Sequence, residues 1–511
     1  MINRWKKWLV IHEWWTLGGI GIILATLSLG NMTRWSIWFD EAFSAYLIRF
    51  NYVDIAHYTG LDVHPPLYYW VLKMWTTPWG VTELSVRSLS LVWALVALVG
   101  IYLLFRRVFG SKHVALVASL AFAISPMMIR YSDEARMYTM VTAIVIWATY
   151  LLVKLQKSTS LKGWLGYGLL IAVGMWTHYF VAFAWLAHWV WRWIEYRRGT
   201  IKRFWSREWM MAYGFAILLF SPWLLTAAKQ LATAQAGFWI RPLSAYTPID
   251  YTSNALIYRE YGAVTYGWPV VYWLGLGAVL YIVLKAWRAA KQKQRLYHRL
   301  LLVVAFVPPL LVMIISLPPL HSSFIDRYLL ASIGVSSALI GASLALVWHE
   351  LSRKFATLLA VILLATAGCG IFNVYYYGNF NKDSNTSVRT RDVVQQVAQG
   401  GEAGQPIIAA SPWVYYEAAF YSTADHPVYF LDSSTHYEYG SLAMLHDNSF
   451  GKITDLTAFT ASHRYVWYLD NTSGSSLKPP VTGWKLIKSV AMYDYISNSA
   501  PYQAGLYDTR P

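Results

Sequence analysis

Eleven apolar stretches spaced along the first 375 residues constrain this chain more than anything else in it. They run over 16–34, 87–105, 113–130, 136–153, 164–178, 179–195, 209–228, 267–287, 300–317, 326–348 and 355–375. A bilayer crossing needs about 20 mostly apolar residues, so each is a candidate span. The fifth and sixth are short and nearly contiguous, hinging around Thr177-His178-Tyr179. Composition agrees: 57% of the 511 residues are hydrophobic and 13% charged, against roughly a quarter charged in soluble domains. The 28 Trp and 37 Tyr suit headgroup-level belts. The expected fold class is an all-α polytopic membrane protein. The basic, aromatic start (Arg4, Lys6, Lys7, Trp14, Trp15) precedes an apolar run without a small-residue cleavage site, so that run reads as a retained first span.

The net charge of +16 does not point to nucleic acid, because its sources are scattered in short clusters between spans. Arg106-Arg107-Lys112, Lys154-Lys157-Lys162, Arg197 through Arg207, Lys285 through Arg299 and Arg353-Lys354 all fall on one side if eleven spans are counted. That side, with the N-terminus, is expected to be cytoplasmic. The alternate segments 35–86, 229–266 and 376–511 then face outward. The tail changes character. Strand-length runs (Pro406–Ala410, Val428–Leu431, Tyr465–Leu469) alternate with helical patterns (Thr390–Gln399, Pro412–Tyr421), predicting a small extracytoplasmic α/β domain. The expected domains are therefore 1–375 and 376–511. The tail's plainest role is packing or acceptor docking. The single cysteine, Cys369, excludes an intrachain disulfide.

Carboxylates beside a span are costly to desolvate and often functional. Asp40-Glu41 follows the first span and His64-Pro65-Pro66 lies later in the same loop. Ala42–Asn51, with Phe43, Leu47 and Phe50 on one face, reads as an amphipathic helix, and a second starts near Pro66 and runs to Trp75. Either Asp40 takes a proton from an acceptor hydroxyl, or it caps the helix beginning at Glu41; the two are compatible. Between the third and fourth spans stands Tyr131-Ser132-Asp133-Glu134-Ala135-Arg136-Met137-Tyr138. Arg136 can hold a phosphate bidentately with Glu134 orienting it, or be a snorkelling arginine paired to Glu134. Arg327 and Tyr328, at the start of the tenth span, are a second phosphate candidate or an interfacial anchor. His178 can meet a sugar or phosphate, or pack between helices. A metal on His64 and His178 has no support from spacing.

Asp-Glu after the first span, His-Pro-Pro-Leu-Tyr in the same loop and Ser-Asp-Glu-Ala-Arg-Met-Tyr after the third span together resemble the polyprenyl-phosphate-dependent glycosyltransferases of the GT-C fold. The group resembled is the bacterial relatives of protein O-mannosyltransferases and of lipid A aminoarabinose transferases, over roughly residues 10–375. The resemblance implies an inverting transferase moving a hexose or pentose, mannose first, from a polyprenyl-phosphate donor to an acceptor on the outer face. It implies Asp40 as base, Glu41 as supporting carboxylate and Arg136 and Arg327 beside the donor phosphate. His64, His178, Glu134, Tyr138 and Tyr328 fall on motif positions or beside them. Protein mannosyltransferases continue His-Pro-Pro with Gly-Lys, whereas Leu67-Tyr68-Tyr69 stands here, so the acceptor is open among protein, lipid and polysaccharide.

The sequence requires no cofactor and leaves room for a divalent metal. Two other classes compete. A polyprenyl-linked lipid transporter or flippase would share the basic outer-face residues but not explain the acidic pair. A non-catalytic envelope-assembly scaffold would depend on the tail rather than on Asp40.

Overall fold

The computed structural model describes residues 11–236, 240–259, 268–290, 292–377, 380–381, 386–431, 442–447, 451–472, 477–478, 481–494 and 499–510. Each of the eleven predicted spans is helical. Among the described residues eight helical segments are long and apolar enough to cross a membrane: Glu13–Met32, Glu83–Phe109, Tyr138–Leu155, Arg207–Thr233, Trp268–Ala289, Gln294–Ile315, Asp326–Glu350 and Arg353–Tyr377. A ninth is broken: Lys112–Ala123 and Pro126–Ser132 meet at 61°. Pro126 takes a first-turn position, where its missing N–H is not needed. Leu161–Thr177 and Val181–Arg197 hold 17 residues each, the short end of what a bilayer requires. The chain is a multi-pass membrane protein.

Close helix approach explains several glycines. A Cβ on Gly168 would stand 2.4 Å from the Ala212 carbonyl oxygen, so the Leu161–Thr177 and Arg207–Phe220 helices touch backbone to backbone there. A Cβ on Gly341 would meet the Val117 carbonyl oxygen at 2.6 Å. Small residues at such crossings are the usual means of packing helices in lipid, where apolar burial between helices gains little. Leu218, Leu225, Val361 and Leu364 remain exposed, as lipid-facing side chains should.

The chain divides into two compact units. The first holds Met1–Asn31, His64–Tyr68 and Arg87–Tyr376; the second holds Met32–Val63, Tyr69–Val86 and Tyr377–Pro511. Most of the loop after the first span thus belongs with the C-terminal residues. The predicted first loop helix forms at Phe39–Leu47, three residues earlier than expected, and the second at Leu67–Thr76. An unpredicted helix, Tyr52–Leu61, lies between them, capped by Asn51, whose side chain accepts from the Val53 and Asp54 amides. Trp70 Nε1 donates to the Tyr52 carbonyl at 2.9 Å and Lys73 Nζ to that of Ile48 at 2.8 Å, tying the three together.

The C-terminal part of the second unit is α/β. Its strands are β1 (Phe380–Asn381), β2 (Thr386–Ser387), β3 (Ile407–Ala409), β4 (Val428–Leu431), β5 (Lys452–Ile453), β6 (Tyr465–Asn471), β7 (Lys485–Asp494) and β8 (Ser499–Asp508). β1 and β2 pair antiparallel. The other six form one mixed sheet in the order β5-β4-β3-β6-β8-β7. β3 to β6 pair in parallel, and the β7–β8 hairpin adds antiparallel to β6. Ile408, Ile453 and Val466 form a core under Tyr429, Phe459 and Trp484. The predicted helices form at Thr390–Gly400 and Pro412–Phe420.

Candidate active site

The first unit gathers seven of the nine residues singled out from sequence. His64 and His178 face each other with ring centroids 5.4 Å apart. His178 also packs on Tyr328 at 4.7 Å and on Tyr138 at 6.2 Å. The guanidinium of Arg327 stands 5.9 Å from the ring centre of Tyr138 and 5.9 Å from that of Tyr328. Arg136, Arg327 and His64 all lie close enough to His178 to act on it electrostatically. Each of these side chains except Tyr328, which is half-buried, is buried. One guanidinium among aromatic rings, with a second close enough to act on the same histidine, has the chemistry of an anion site.

Local structure explains how they are held. His178 ends the Leu161–Thr177 helix in an extended conformation, and its Nδ1 accepts the Phe180 amide at 3.2 Å. The proton of a neutral ring therefore sits on Nε2. Arg327 and Tyr328 lie in the 3-10 turn Asp326–Leu329 that opens the tenth span. The Asp133–Arg136 turn is anchored from several sides. Ser90 Oγ donates to the carbonyls of Glu134 at 2.5 Å and Arg136 at 3.2 Å, and Asn31 Nδ2 donates to Asp133 at 2.9 Å.

Sequence reasoning missed one cation of this turn. Glu134 pairs with Arg130, at 2.6 Å, and Asp133 also meets Arg130, at 3.3 Å. Arg130 thus stands as a cation for both acids, in addition to the Arg136 considered from sequence. The spacing carried the signal, because residues three and four apart share a helix face. Among the described residues no group of three or more His, Cys, Asp or Glu side chains converges as a metal site needs.

The second unit holds Asp40 and Glu41. Both lie in the first turn of Phe39–Leu47, whose N-cap is Trp38. Asp40 is one residue inside the helix, so it does not cap it. Glu41 performs that task, accepting the Trp38 amide at 3.4 Å from the third helical position. Asp40 is half-buried and Glu41 buried. Ser44 Oγ donates to the Asp40 carbonyl at 2.8 Å.

The opposite face of this helix is aromatic. Phe39 packs on Trp413 and Tyr416, both at 6.0 Å, Phe43 on Tyr416 at 5.9 Å and Tyr46 on Tyr416 at 5.0 Å. The loop is joined to the C-terminal part by polar contacts as well. Arg391 pairs with Glu83 at 3.0 Å and donates to the Thr33 and Arg34 carbonyls. Tyr421 bonds to Glu83 and accepts the Ile37 amide at 2.7 Å. Glu417, also unnoticed in sequence, lies buried beneath the same helix; a lone acid in the apolar run Pro412–Phe420 was the available signal.

Solved structures share this architecture from end to end. ArnT from Cupriavidus metallidurans, bound to undecaprenyl phosphate, matches over 98% of this chain and 99% of its own at 13% identity, with a TM-score of 0.62. The chain has the GT-C fold. The archaeal oligosaccharyltransferase AglB from Archaeoglobus fulgidus, in complex with an inhibitory peptide and a dolichol-phosphate, matches over 91% of this chain and 70% of its own, at 12% identity and a TM-score of 0.51. In sequence, residues 63–225 match the dolichyl-phosphate-mannose-protein mannosyltransferase family. That stretch takes in His64, Glu134, Arg136, Tyr138 and His178. No curated protein matches the chain's sequence.

Proposed function

We propose that this protein is an inverting glycosyltransferase that moves a sugar from a polyprenyl-phosphate donor to an acceptor on the outer face of the membrane. The observation that carries the reading is the convergence of Arg136 and Arg327 with Tyr138, Tyr328, His64 and His178 inside a GT-C fold. The solved relatives lend it weight, since ArnT was captured with undecaprenyl phosphate and AglB with a dolichol-phosphate. Mannose is the preferred sugar, because the matching family is named for a dolichyl-phosphate mannose donor. The acceptor is a hydroxyl or phosphate on a lipid, polysaccharide or protein.

In this reading Asp40 takes the proton from the acceptor, whose oxygen attacks the anomeric carbon from the face opposite the phosphate. The bond from that carbon to the phosphate oxygen breaks, and polyprenyl phosphate leaves as an anion. Arg136 and Arg327 stabilise the charge that develops on it. Glu41 supports Asp40 by holding the first turn of its helix. His64, His178, Glu134, Tyr138 and Tyr328 shape and orient the donor site. The polyprenyl chain lies in lipid. In the same reading the N-terminus is cytoplasmic and residues 376–511 lie outside, an orientation that the clustering of basic residues supports.

Mass spectrometry of lipid co-purifying with the protein tests the donor assignment. A polyprenyl-phosphate sugar is expected; a lipid without a polyprenyl phosphate across all preparations contradicts it.

A further inference from the structure

Helix N-termini leave backbone amides without partners inside the helix. At the helix that carries Asp40, two carboxyl groups serve them. Glu41 takes the Trp38 amide from within the helix. The Phe39 amide is taken by Glu417, which lies more than 370 residues away in sequence, in the Pro412–Phe420 helix of the same unit.

Glu417 is 3% exposed. Its carboxyl group has a second partner, the Thr390 hydroxyl. Around it stand rings that clamp the two helices together: Tyr416 on Phe39, Phe43 and Tyr46, and Tyr415 on Tyr46. A carboxyl group in such surroundings is costly to keep, and packing alone would be served better by an apolar side chain. The place where it reaches out is the first turn of the helix, one residue before Asp40.

We propose that Glu417 is a positioning residue for Asp40: from the C-terminal part of the chain it bonds the Phe39 amide and fixes the direction in which the first turn presents the Asp40 carboxylate. The proposal rests on the reading of Asp40 as the base. It gives the C-terminal residues a part in transfer beyond packing or docking.

Burial, opposed by the bonds to Thr390 and Phe39 and reinforced by the nearby Glu41 charge, pushes the Glu417 carboxyl up to about 8. It is protonated at neutral pH. Glu41 is the charged group acting on it from the Asp40 helix. Its own helix supplies Tyr415 and Tyr416. The Thr390 helix supplies Asp392, engaged by Arg389, and Arg391, engaged by Glu83. Above about 8, Glu417 becomes a second buried negative charge beside Glu41. The two repel and the first turn loosens.

The test uses the full-length protein, radiolabelled mannosyl undecaprenyl phosphate and amide hydrogen exchange over residues 39–47. Glu417→Ala is expected to lower kcat by about tenfold or more with donor KM changed less than about twofold, and to speed exchange across the helix by about tenfold. Glu417→Gln is expected to rescue both, since its amide oxygen still accepts the Phe39 N–H, and to remove the decline in transfer above pH about 8. Unchanged kcat and exchange in Glu417→Ala overturn the proposal, as does a Glu417→Gln protein that rescues neither. Asp40→Asn is run in parallel. If that variant stays active while Glu417→Ala speeds exchange, the base assignment falls and the hold on the helix stands. If it is inactive and exchange in Glu417→Ala is unchanged, the base assignment stands and Glu417 is only packing.

Discussion

His178 and Tyr328 pack ring on ring with centroids 4.7 Å apart, although they come from the end of the fifth span and the start of the tenth. Phe180 joins them at 4.7 Å from Tyr328, and Tyr138 completes the group at 6.1 Å. These rings fix where Arg327 can lie. Its guanidinium sits equally far from Tyr138 and Tyr328, at 5.9 Å from each.

Loss of that guanidinium should be felt in donor use. Arg327→Ala and Arg136→Ala are each expected to lower kcat/KM for a polyprenyl-phosphate sugar by about 100-fold, on the order of two charge-assisted hydrogen bonds. Arg327→Lys should recover less than a tenth of the loss, because an ammonium lacks the planar fork. Steady-state kinetics on protein with an unchanged elution profile checks this.

The Asp133–Arg136 turn depends on Arg130. Removing it leaves the Asp133 and Glu134 carboxylates buried without their shared cation. Arg130→Ala is expected to cost about 3–5 kcal/mol. A lowered unfolding midpoint in detergent, by thermal denaturation, is the measurement. Arg130→Ala together with Asp133→Asn and Glu134→Gln should recover part of it.

Stability should fall as pH rises toward about 8. The native Glu417 carboxyl keeps its proton up to about 8, whereas an unfolded glutamate releases it near the ordinary value of 4.5. In that window the folded state binds more protons, so raising the pH favours unfolding. Asp470, raised by burial, adds the same sign from its own lower starting value. Denaturant midpoints at several pH values should therefore decline between pH 5 and 8, and Glu417→Gln should flatten most of the decline.

Gly168 tests the packing of the spans. With a Cβ placed 2.4 Å from the Ala212 carbonyl oxygen, Gly168→Val must push the two helices apart. A cost of about 1–3 kcal/mol is expected. Gly166, with open space around it, is the control, and Gly166→Ala should leave the unfolding midpoint unchanged.

The spans were legible because length and apolarity are local properties, and so were the strands Val428–Leu431 and Tyr465–Asn471. The Asp40 helix was legible, but its start was placed late, since Trp38 is not a standard capping residue and Phe39 reads as loop. Tyr52–Leu61 was missed because its apolar residues show no clear helical face. The resemblance implied Arg136 and Arg327 beside one phosphate and assigned His178 no role there. Nothing local in the sequence brings those segments together. The clamp of Tyr416 and Glu417 on the Phe39–Leu47 helix was invisible for the same reason. It joins residues separated by about three quarters of the chain, and only tertiary packing records it.

Asp40 carries the central claim, and Asp40→Asn tests it most directly. The substitution keeps shape and removes the basic oxygen. The measurement is transfer of labelled sugar from a polyprenyl-phosphate donor by purified protein, with donor binding and unfolding midpoint followed alongside. The account predicts loss of transfer by about 1,000-fold or more, with donor affinity and midpoint nearly unchanged. Transfer at the wild-type rate would contradict it.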